Sequence, residues 1–260
     1  MRILAALGLA IAAAADVTPR GPNPRNQGHI WIVDQQAASV FEVHRVRGVL
    51  RHVVGFDRPR DIEVLPNGNF VVAGLDGKVI EVDRENRQSL RYQDSEGLYA
   101  VRWRKNGHLV ISSQRRVFEV DKSGGVVWEM EAPGAPNDFA LLENGNLLLA
   151  NYGASSVSEI NPAKGVVRSW KLSKGPMSVQ SLRGGGILAA EVGASLITEW
   201  DANGKLVSEV KTESNCPSAY RTRRGTTLIS LWSRVYEIDG SGKTVWEGPR
   251  VLKCSRIREF

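Results

Sequence analysis

Residues 61–83 read DIEVLPNGNFVVAGLDGKVIEVD, and this stretch contains the main parts of a unit that recurs along the chain. The pair Asn67-Gly68 separates two short apolar runs. Asn-Gly tolerates the positive φ angles of a tight two-residue hairpin, so the two runs are predicted to be antiparallel strands. A third run ends at Asp83, and an aspartate there favours a turn because its side chain bonds the backbone two residues on.

The same pattern occurs six times at nearly constant spacing. Successive turns lie 40, 39, 38, 40 and 40 residues apart, from Gln27-Gly28-His29 to Arg224-Gly225-Thr226. The apolar run that follows the hairpin of each unit carries a glutamate at the equivalent position. These glutamates are Glu42, Glu81, Glu119, Glu159, Glu199 and Glu237. Four strands in about 40 residues are the signature of a propeller blade. The sequence therefore predicts an all-β fold, a six-bladed β-propeller.

The ends of the chain predict how this ring closes. The innermost strand of each unit precedes its turn, as DIEVL does, but the first unit has no such strand before Gln27. Residues 255–260, SRIREF, match that strand and then the chain stops. The C-terminal strand is therefore predicted to complete the N-terminal blade, which removes open sheet edges. The predicted core is one apolar column: Ile62, Val101, Phe139, Val179, Ala219 and Ile257.

The N-terminus has the pattern of an export signal. Arg2 precedes the 13-residue apolar run 3–15, which is too short to span a bilayer, and Ala13 and Ala15 form a small-x-small cleavage pattern. Residues 1–15 are thus predicted to be a signal peptide, 16–26 a linker and 27–260 the propeller domain. The expected location is periplasmic or extracellular after cleavage near Ala15, with no transmembrane segment in the mature chain.

Composition and charge exclude several classes of protein. The 260 residues are 42% hydrophobic, which is sufficient for a large core and excludes a disordered chain. The formal net charge of +6 is spread over the length, without a basic tract or a nucleic-acid motif. We expect a monomer that does not bind nucleic acid and whose partner is a protein, peptide, glycan or small molecule.

Propellers bind ligands where the loops entering the innermost strands meet the channel. The repeat register places these candidate ligand-binding residues there: Arg60, Asp61, Tyr99, Asn137, Asp138 and Arg256. Carboxylate and amide oxygens suit a hard divalent cation such as Ca²⁺. The candidate metal ligands are Asp34, Asp138, Asn151 and Glu191. The alternative for these residues is that they form turn hydrogen bonds or face water.

The motifs LPNGNFVVAG, KVIEVD, ENGNLLLANYG and GKTVWEG resemble the repeats of bacterial pyrroloquinoline-quinone-like, arylsulfotransferase-type and NHL-type propellers. The resemblance covers nearly all of the predicted mature chain and implies the fold more strongly than any activity. Arylsulfotransferases use a channel histidine, but none of His29, His44, His52 and His108 falls on a predicted innermost strand. Gluconolactonase-type propellers use a Glu/Asn/Asp set comparable to the candidate metal ligands, which implies a metal-assisted hydrolase.

Two classes of function follow from these patterns. We favour an exported binding or scaffold module that presents its channel face to a ligand, rather than an enzyme. The alternative is a metal-dependent hydrolase of the lactonase type at the channel mouth, with an arylsulfotransferase-like enzyme as a third possibility.

The two cysteines occupy equivalent positions in successive units. Cys216 and Cys254 each stand just before an innermost strand, and innermost strands of adjacent blades crowd the central axis. In an oxidising compartment they are predicted to form a disulfide between the last complete blade and the closing strand. The alternatives are two free buried thiols or a soft-metal pair, which lacks the further ligands that zinc would need.

Overall fold

The structure is a computed structural model that describes residues 28–132 and 134–260. The predicted signal peptide and linker therefore lie outside the described residues. In the described residues, twenty-four strands account for nearly all the regular structure, together with a short 3₁₀ helix at Arg183–Gly185.

Their bounds, in chain order, are β1 (Ile30–Asp34), β2 (Ser39–His44), β3 (Gly48–Val54), β4 (Pro59–Val64), β5 (Phe70–Gly74), β6 (Lys78–Val82), β7 (Gln88–Gln93), β8 (Leu98–Trp103), β9 (Leu109–Ser113), β10 (Arg116–Val120), β11 (Val126–Glu131), β12 (Pro136–Leu141), β13 (Leu147–Asn151), β14 (Ser156–Asn161), β15 (Gly165–Lys171), β16 (Pro176–Ser181), β17 (Ile187–Glu191), β18 (Leu196–Trp200), β19 (Leu206–Lys211), β20 (Ser218–Arg221), β21 (Thr227–Leu231), β22 (Arg234–Ile238), β23 (Thr244–Glu247) and β24 (Cys254–Glu259).

These strands form six antiparallel four-stranded sheets, which confirms the six-bladed β-propeller. Blades II to VI each use four consecutive strands, β4–β7 through β20–β23, with the first strand innermost. Blade I has the order β24-β1-β2-β3, so the C-terminal strand does complete the N-terminal blade. Ile257 of β24 pairs with Ile32 of β1. Strand β24 also contacts β20 and β4, the innermost strands on either side, and the ring is closed.

The predicted apolar column lies in the core between the blades. Its six members are all buried: Ile62, Val101, Phe139, Val179, Ala219 and Ile257. Residues one position either side of this column point the other way, because successive side chains of a strand alternate between faces. Several of those flanking residues, among them Glu63, Arg102 and Arg258, line the central channel, whereas Ala100 packs in the core between blades III and IV.

A side-chain clamp links neighbouring blades at this channel. The residue before a core position accepts a hydrogen bond from the backbone N–H of the core position in the next blade. The distances are 3.0 Å from Val101 N to Asp61 Oδ2, 3.0 Å from Val179 N to Asp138 Oδ2, 3.1 Å from Ala219 N to Ser178 Oγ and 3.2 Å from Ile257 N to Ser218 Oγ. Four of the six blade junctions are therefore tied by the same polar contact.

The glutamates in register have a structural role in their own blades. Glu81 accepts a hydrogen bond of 2.7 Å from Asn69, and Glu159 one of 2.6 Å from Asn146, so each fixes the hairpin between the first two strands of its blade. Histidines occupy the same place in two blades: Nδ1 of His29 lies 2.5 Å from Glu42, and Nδ1 of His108 lies 2.7 Å from Glu119. These two histidines thus stabilise turns away from the innermost strands.

In this structure the two cysteines do not form the predicted disulfide. Cys216 and Cys254 are free and fully buried thiols. Each sulfur faces a carbonyl oxygen of its own chain segment, 3.5 Å from Ser218 O and 3.3 Å from Arg256 O respectively. Burial raises the pKa of both thiols to about 12, which keeps them protonated and unreactive.

Across residues 28–132 and 134–260, no helix has the length and hydropathy that crossing a membrane requires.

Candidate functional site

A network of ion pairs crosses the middle of the channel. Asp61 of blade II and Asp138 of blade IV both pair with Arg102 of blade III through short contacts. From blade I, Arg256 reaches both carboxylates: its Nη1 lies 2.8 Å from Asp138 Oδ2 and its Nε 3.1 Å from Asp61 Oδ1. All four side chains are almost inaccessible to solvent. The network therefore fills the axis of the ring.

Arg258 and Glu63 extend this network towards the C-terminal ends of the innermost strands. Arg258 Nη2 lies 3.0 Å from Asp138 Oδ1, and its Nη1 lies 3.7 Å from Glu63. Burial raises the pKa of Asp138, and the coulombic pull of Arg256 and Arg102 offsets part of that rise. Burial lowers the pKa of Arg102, but Asp61 and Asp138 more than reverse that effect, and the net shift is upward. Arg102 therefore remains a guanidinium cation in the network.

The opposite end of the channel, where the innermost strands start, carries β-bulges. The register of β4 shifts between Pro59 and Asp61, so Arg60 is the extra residue, and the same shift makes Tyr99, Asn137 and Met177 the extra residues in β8, β12 and β16. A bulge redirects the side chain of its extra residue. We call these four residues, Arg60, Tyr99, Asn137 and Met177, the strand-start mouth.

The six predicted ligand-binding residues form one connected set. Arg60 donates a hydrogen bond of 3.1 Å to Asn137 Oδ1, and its guanidinium lies 5.6 Å from the centre of the Tyr99 ring. Below them, Arg256 donates to the carbonyl oxygens of Met177 and Asn137, at 3.5 and 3.4 Å, and to Asp138. Arg60, Tyr99 and Asn137 thus belong to the strand-start mouth, and Asp61, Asp138 and Arg256 to the network beneath it.

The four candidate metal ligands, in contrast to the predicted ligand-binding residues, do not form one connected set. Asp34 accepts backbone hydrogen bonds from Leu252 and Lys253 at 2.6 and 3.0 Å. Asn151 donates to Ser158 at 3.2 Å, and Glu191 accepts from Ser173 N at 2.6 Å and from Thr198 at 2.7 Å.

Asp138, the fourth of these residues, faces three arginines, which is an unsuitable environment for a cation. Among the described residues no group of three or more His, Cys, Asp or Glu is placed to hold a metal ion. The donors therefore do not fit one shared Ca²⁺, and a divalent cation stays a prediction.

A cavity that the sequence did not indicate opens at the hairpin end of the channel. Its volume is about 140 Å³, and its floor is the network of Arg102, Asp138 and Arg256. Residues around its wall include Glu63, Trp103, Leu141, Tyr220, Arg258 and Phe260. We call this space the hairpin-end cavity.

One sequence signal could have located the hairpin-end cavity. Arg256 and Arg258 flank the buried Ile257 at a spacing of two, so both must face the channel. In the neighbouring blade II, Glu63 follows the buried Ile62 directly, and the same alternation places it beside Arg258 on the channel wall.

Comparison with solved structures shows the same fold in several proteins. A protein of unknown function from Bacteroides caccae matches with a TM-score of 0.74 and 16% identity, over 89% of this chain and 98% of that chain. Virginiamycin B lyase from Staphylococcus aureus matches with a TM-score of 0.65 and 13% identity, over 86% and 81%. Hydrazine synthase from Kuenenia stuttgartiensis matches with a TM-score of 0.65 and 16% identity, over 92% and 91%.

No family model and no curated protein matches the sequence. At these identities the structural matches establish the fold alone. They do not confirm the pyrroloquinoline-quinone-like, arylsulfotransferase-type or NHL-type repeats that the motifs suggest.

Proposed function

We propose that the chain is an exported, non-catalytic binding module that takes its ligand at the central channel. The observation that carries this proposal is the hairpin-end cavity, an open space of about 140 Å³ above a fixed floor of ion pairs. Concave, partly apolar sites with a few polar groups are the usual form of ligand sites in proteins. Apolar side chains such as Leu141 and Phe260 share the wall with Glu63 and Arg258, so the cavity suits a small ligand with one apolar and one polar end.

The state of the channel's charged groups supports binding rather than catalysis. A general base must be free to take a proton from its substrate. Asp61 and Asp138 are instead held between arginines, and each also accepts a backbone hydrogen bond. Of the four histidines, His29 and His108 fix turns, His44 ends β2 and His52 lies in the outer strand β3. The lyase activity of one structural neighbour is therefore not extended to this chain.

The binding proposal is tested with a library of small aromatic and sugar fragments, screened by ligand-observed NMR. Ser181 lines the cavity wall, and Ser181→Trp places a large ring in that space. Ser241, in an exposed outer turn, provides the matched control Ser241→Trp. We expect fragments that bind the parent and the control with similar affinity and Ser181→Trp at least tenfold more weakly. If no fragment distinguishes the two variants, the cavity is not a binding site.

A metal-dependent hydrolase of the lactonase type is the alternative that the sequence suggests. A cation bound at a native site raises the melting temperature by mass action. Removal of divalent ions with EDTA followed by Ca²⁺ addition therefore separates the two functions, with Glu191→Gln as the ligand variant. A Ca²⁺-dependent rise in the parent that is absent in Glu191→Gln would favour the hydrolase.

A further inference from the structure

Four arginines lie around Asp61 and Asp138 in the channel, and three of them form ion pairs with these carboxylates. Arg102, Arg256 and Arg258 each form an ion pair with Asp61, Asp138 or both. Arg60 lies on the same ring of innermost strands, yet no carboxylate of the described residues forms an ion pair with it. Asp61, Glu63 and Asp138 are thus paired with these other arginines, and Glu259, which also lines the hairpin-end cavity, pairs with Arg45.

Arg60 is also short of hydrogen-bond partners. Only 6% of the residue is exposed, and its Nε is buried without an acceptor. Within the described chain, its side chain makes a single hydrogen bond, to the neutral Oδ1 of Asn137. Burial and the nearby Arg256 lower the pKa of Arg60 to about 10, so at neutral pH it remains a cation.

Burying a cation without its counter-ion is unfavourable, because the charge loses water and gains no compensating partner. A guanidinium has five N–H donors in a planar fork that matches the oxygens of carboxylate, sulfate and phosphate groups. The bulge in β4 holds Arg60 at the strand-start mouth, where the half-buried Tyr99 lies beside its guanidinium. A ligand oxyanion at this point would supply the missing negative charge.

We propose that the strand-start mouth is an anion-binding site, in which Arg60 binds a carboxylate, sulfate or phosphate group of a small ligand. Asn137 orients the guanidinium through its 3.1 Å hydrogen bond, and Tyr99 packs beside it. Arg256, which lies directly beneath, adds to the positive potential at the site. This inference rests on the proposed function, since it assigns a ligand class to the channel, but it uses residues outside the hairpin-end cavity.

The test compares the parent with Arg60→Met, which keeps the length of the side chain and removes its charge. Arg224→Met is the matched control, because Arg224 is exposed in a turn at the other end of the channel. Melting temperatures are measured in chloride and then in acetate, sulfate or phosphate at equal ionic strength. Sulfate and phosphate also stabilise proteins generally by exclusion from their surfaces, so the measured quantity is the difference between variants.

We expect at least one of the three anions to raise the melting temperature of the parent and of Arg224→Met by several degrees more than that of Arg60→Met. Calorimetric titration with that anion should give at least tenfold weaker binding to Arg60→Met. The three arms identify whether the group is a carboxylate, a sulfate or a phosphate. In chloride, Arg60→Met should melt no lower than the parent, since an uncompensated charge has been removed.

Equal responses of all three proteins to every anion would overturn the proposal. A much lower melting temperature of Arg60→Met in chloride would also overturn it, because Arg60 would then be a structural residue. Ser181→Trp should bind the anion as the parent does. Failure of the fragment screen at the hairpin-end cavity would therefore leave this result unaffected, and the two proposals can fail separately.

Discussion

Nη1 of Arg256 lies 2.8 Å from Oδ2 of Asp138, although the two residues belong to blades on opposite sides of the ring. The contact therefore spans the channel, and it joins the closing strand β24 to blade IV. Asp138 also receives Arg102 and Arg258 and holds the backbone of Val179 in blade V. One carboxylate thus connects four of the six blades.

Replacing this carboxylate should cost much of the stability of the fold. Asp138→Asn leaves three buried arginines with one negative charge fewer, and breaking a buried ion pair costs about 3–5 kcal/mol. We expect a loss of that size in the free energy of unfolding, measured by urea denaturation. Asp57, whose side chain is 65% exposed, supplies the control: Asp57→Asn should change the free energy by about 0.5 kcal/mol or less. Comparable effects of the two substitutions would contradict the importance of the network.

Removing residues 255–260 should prevent the ring from closing. The deletion leaves β1 paired with β2 alone, exposes a sheet edge and removes Arg256 and Arg258 from the channel. We expect aggregation, which size-exclusion chromatography would detect, or a large drop in the melting temperature measured by circular dichroism. A truncated protein that is monomeric and melts with the parent would show that blade I does not need its fourth strand.

Alkaline pH should destabilise the protein through its buried thiols. Burial raises the pKa of Cys216 and Cys254 from 9.0 in the unfolded chain to about 12. Below pH 9 both states hold the proton and the effect is absent. Between pH 9 and 12 the folded state alone retains it, so stability falls as pH rises.

The measurement is urea unfolding at pH 8 and pH 10 in the presence of reductant. The double variant Cys216→Ala/Cys254→Ala should lose less stability over this interval than the parent. Some fall will remain, because burial also raises the pKa of Tyr236 to about 12. Identical slopes for parent and variant would mean that the thiols are accessible to water. Intact mass without reductant tests the disulfide separately, since a bridge lowers the mass by about 2 Da.

Replacing Ala135 with glycine should raise the stability of the protein. Ala135 has a φ of 56° just before Pro136, and Gly175 has the same φ of 56° just before Pro176 in the next blade. An L-residue in this region is strained by roughly 1–2 kcal/mol, part of which is offset because glycine loses more entropy on folding. Ala135→Gly should therefore raise stability by about 0.5–1 kcal/mol.

Thermal unfolding measures this gain, and Ala163→Gly serves as the control. Ala163 is exposed in a turn and is not among the residues with positive φ, so glycine there should lower stability slightly. A decrease in both variants would indicate that the Ala135 backbone is not strained.

The repeat pattern was sufficient to predict the blades, the closing strand and the core column, because strand periodicity and turn residues are local properties. It also located Arg60 and Asn137 at one mouth of the channel. The metal set is different: the sequence offers Asp34 and Glu191 as members of one site or as acceptors of turn hydrogen bonds, and in the structure each accepts hydrogen bonds from backbone N–H groups. The spacing of these residues in the sequence does not show which hydrogen-bond donors lie within reach of their carboxylates.

The remaining features depend on contacts between distant segments. Nothing near Asp61 in the sequence shows that it accepts the N–H of Val101 in another blade. The bulge that redirects Arg60 also arises from the pairing of β4 with β5 rather than from a particular residue type. The missing counter-ion of Arg60 can be recognised only when every carboxylate around the channel has been assigned to its partner.

The ion pairs between Asp61, Arg102, Asp138 and Arg256 separate the hairpin-end cavity from the strand-start mouth, because solvent barely reaches any of these four side chains. A molecule in the hairpin-end cavity cannot pass to the strand-start mouth without breaking them. Arg256 nevertheless belongs to the floor of the cavity and also donates to the carbonyl oxygens of Met177 and Asn137 at the strand-start mouth, so the barrier that separates the two ends also joins them. A small molecule at one end would therefore not compete for space with one at the other, although both would lie against Arg256.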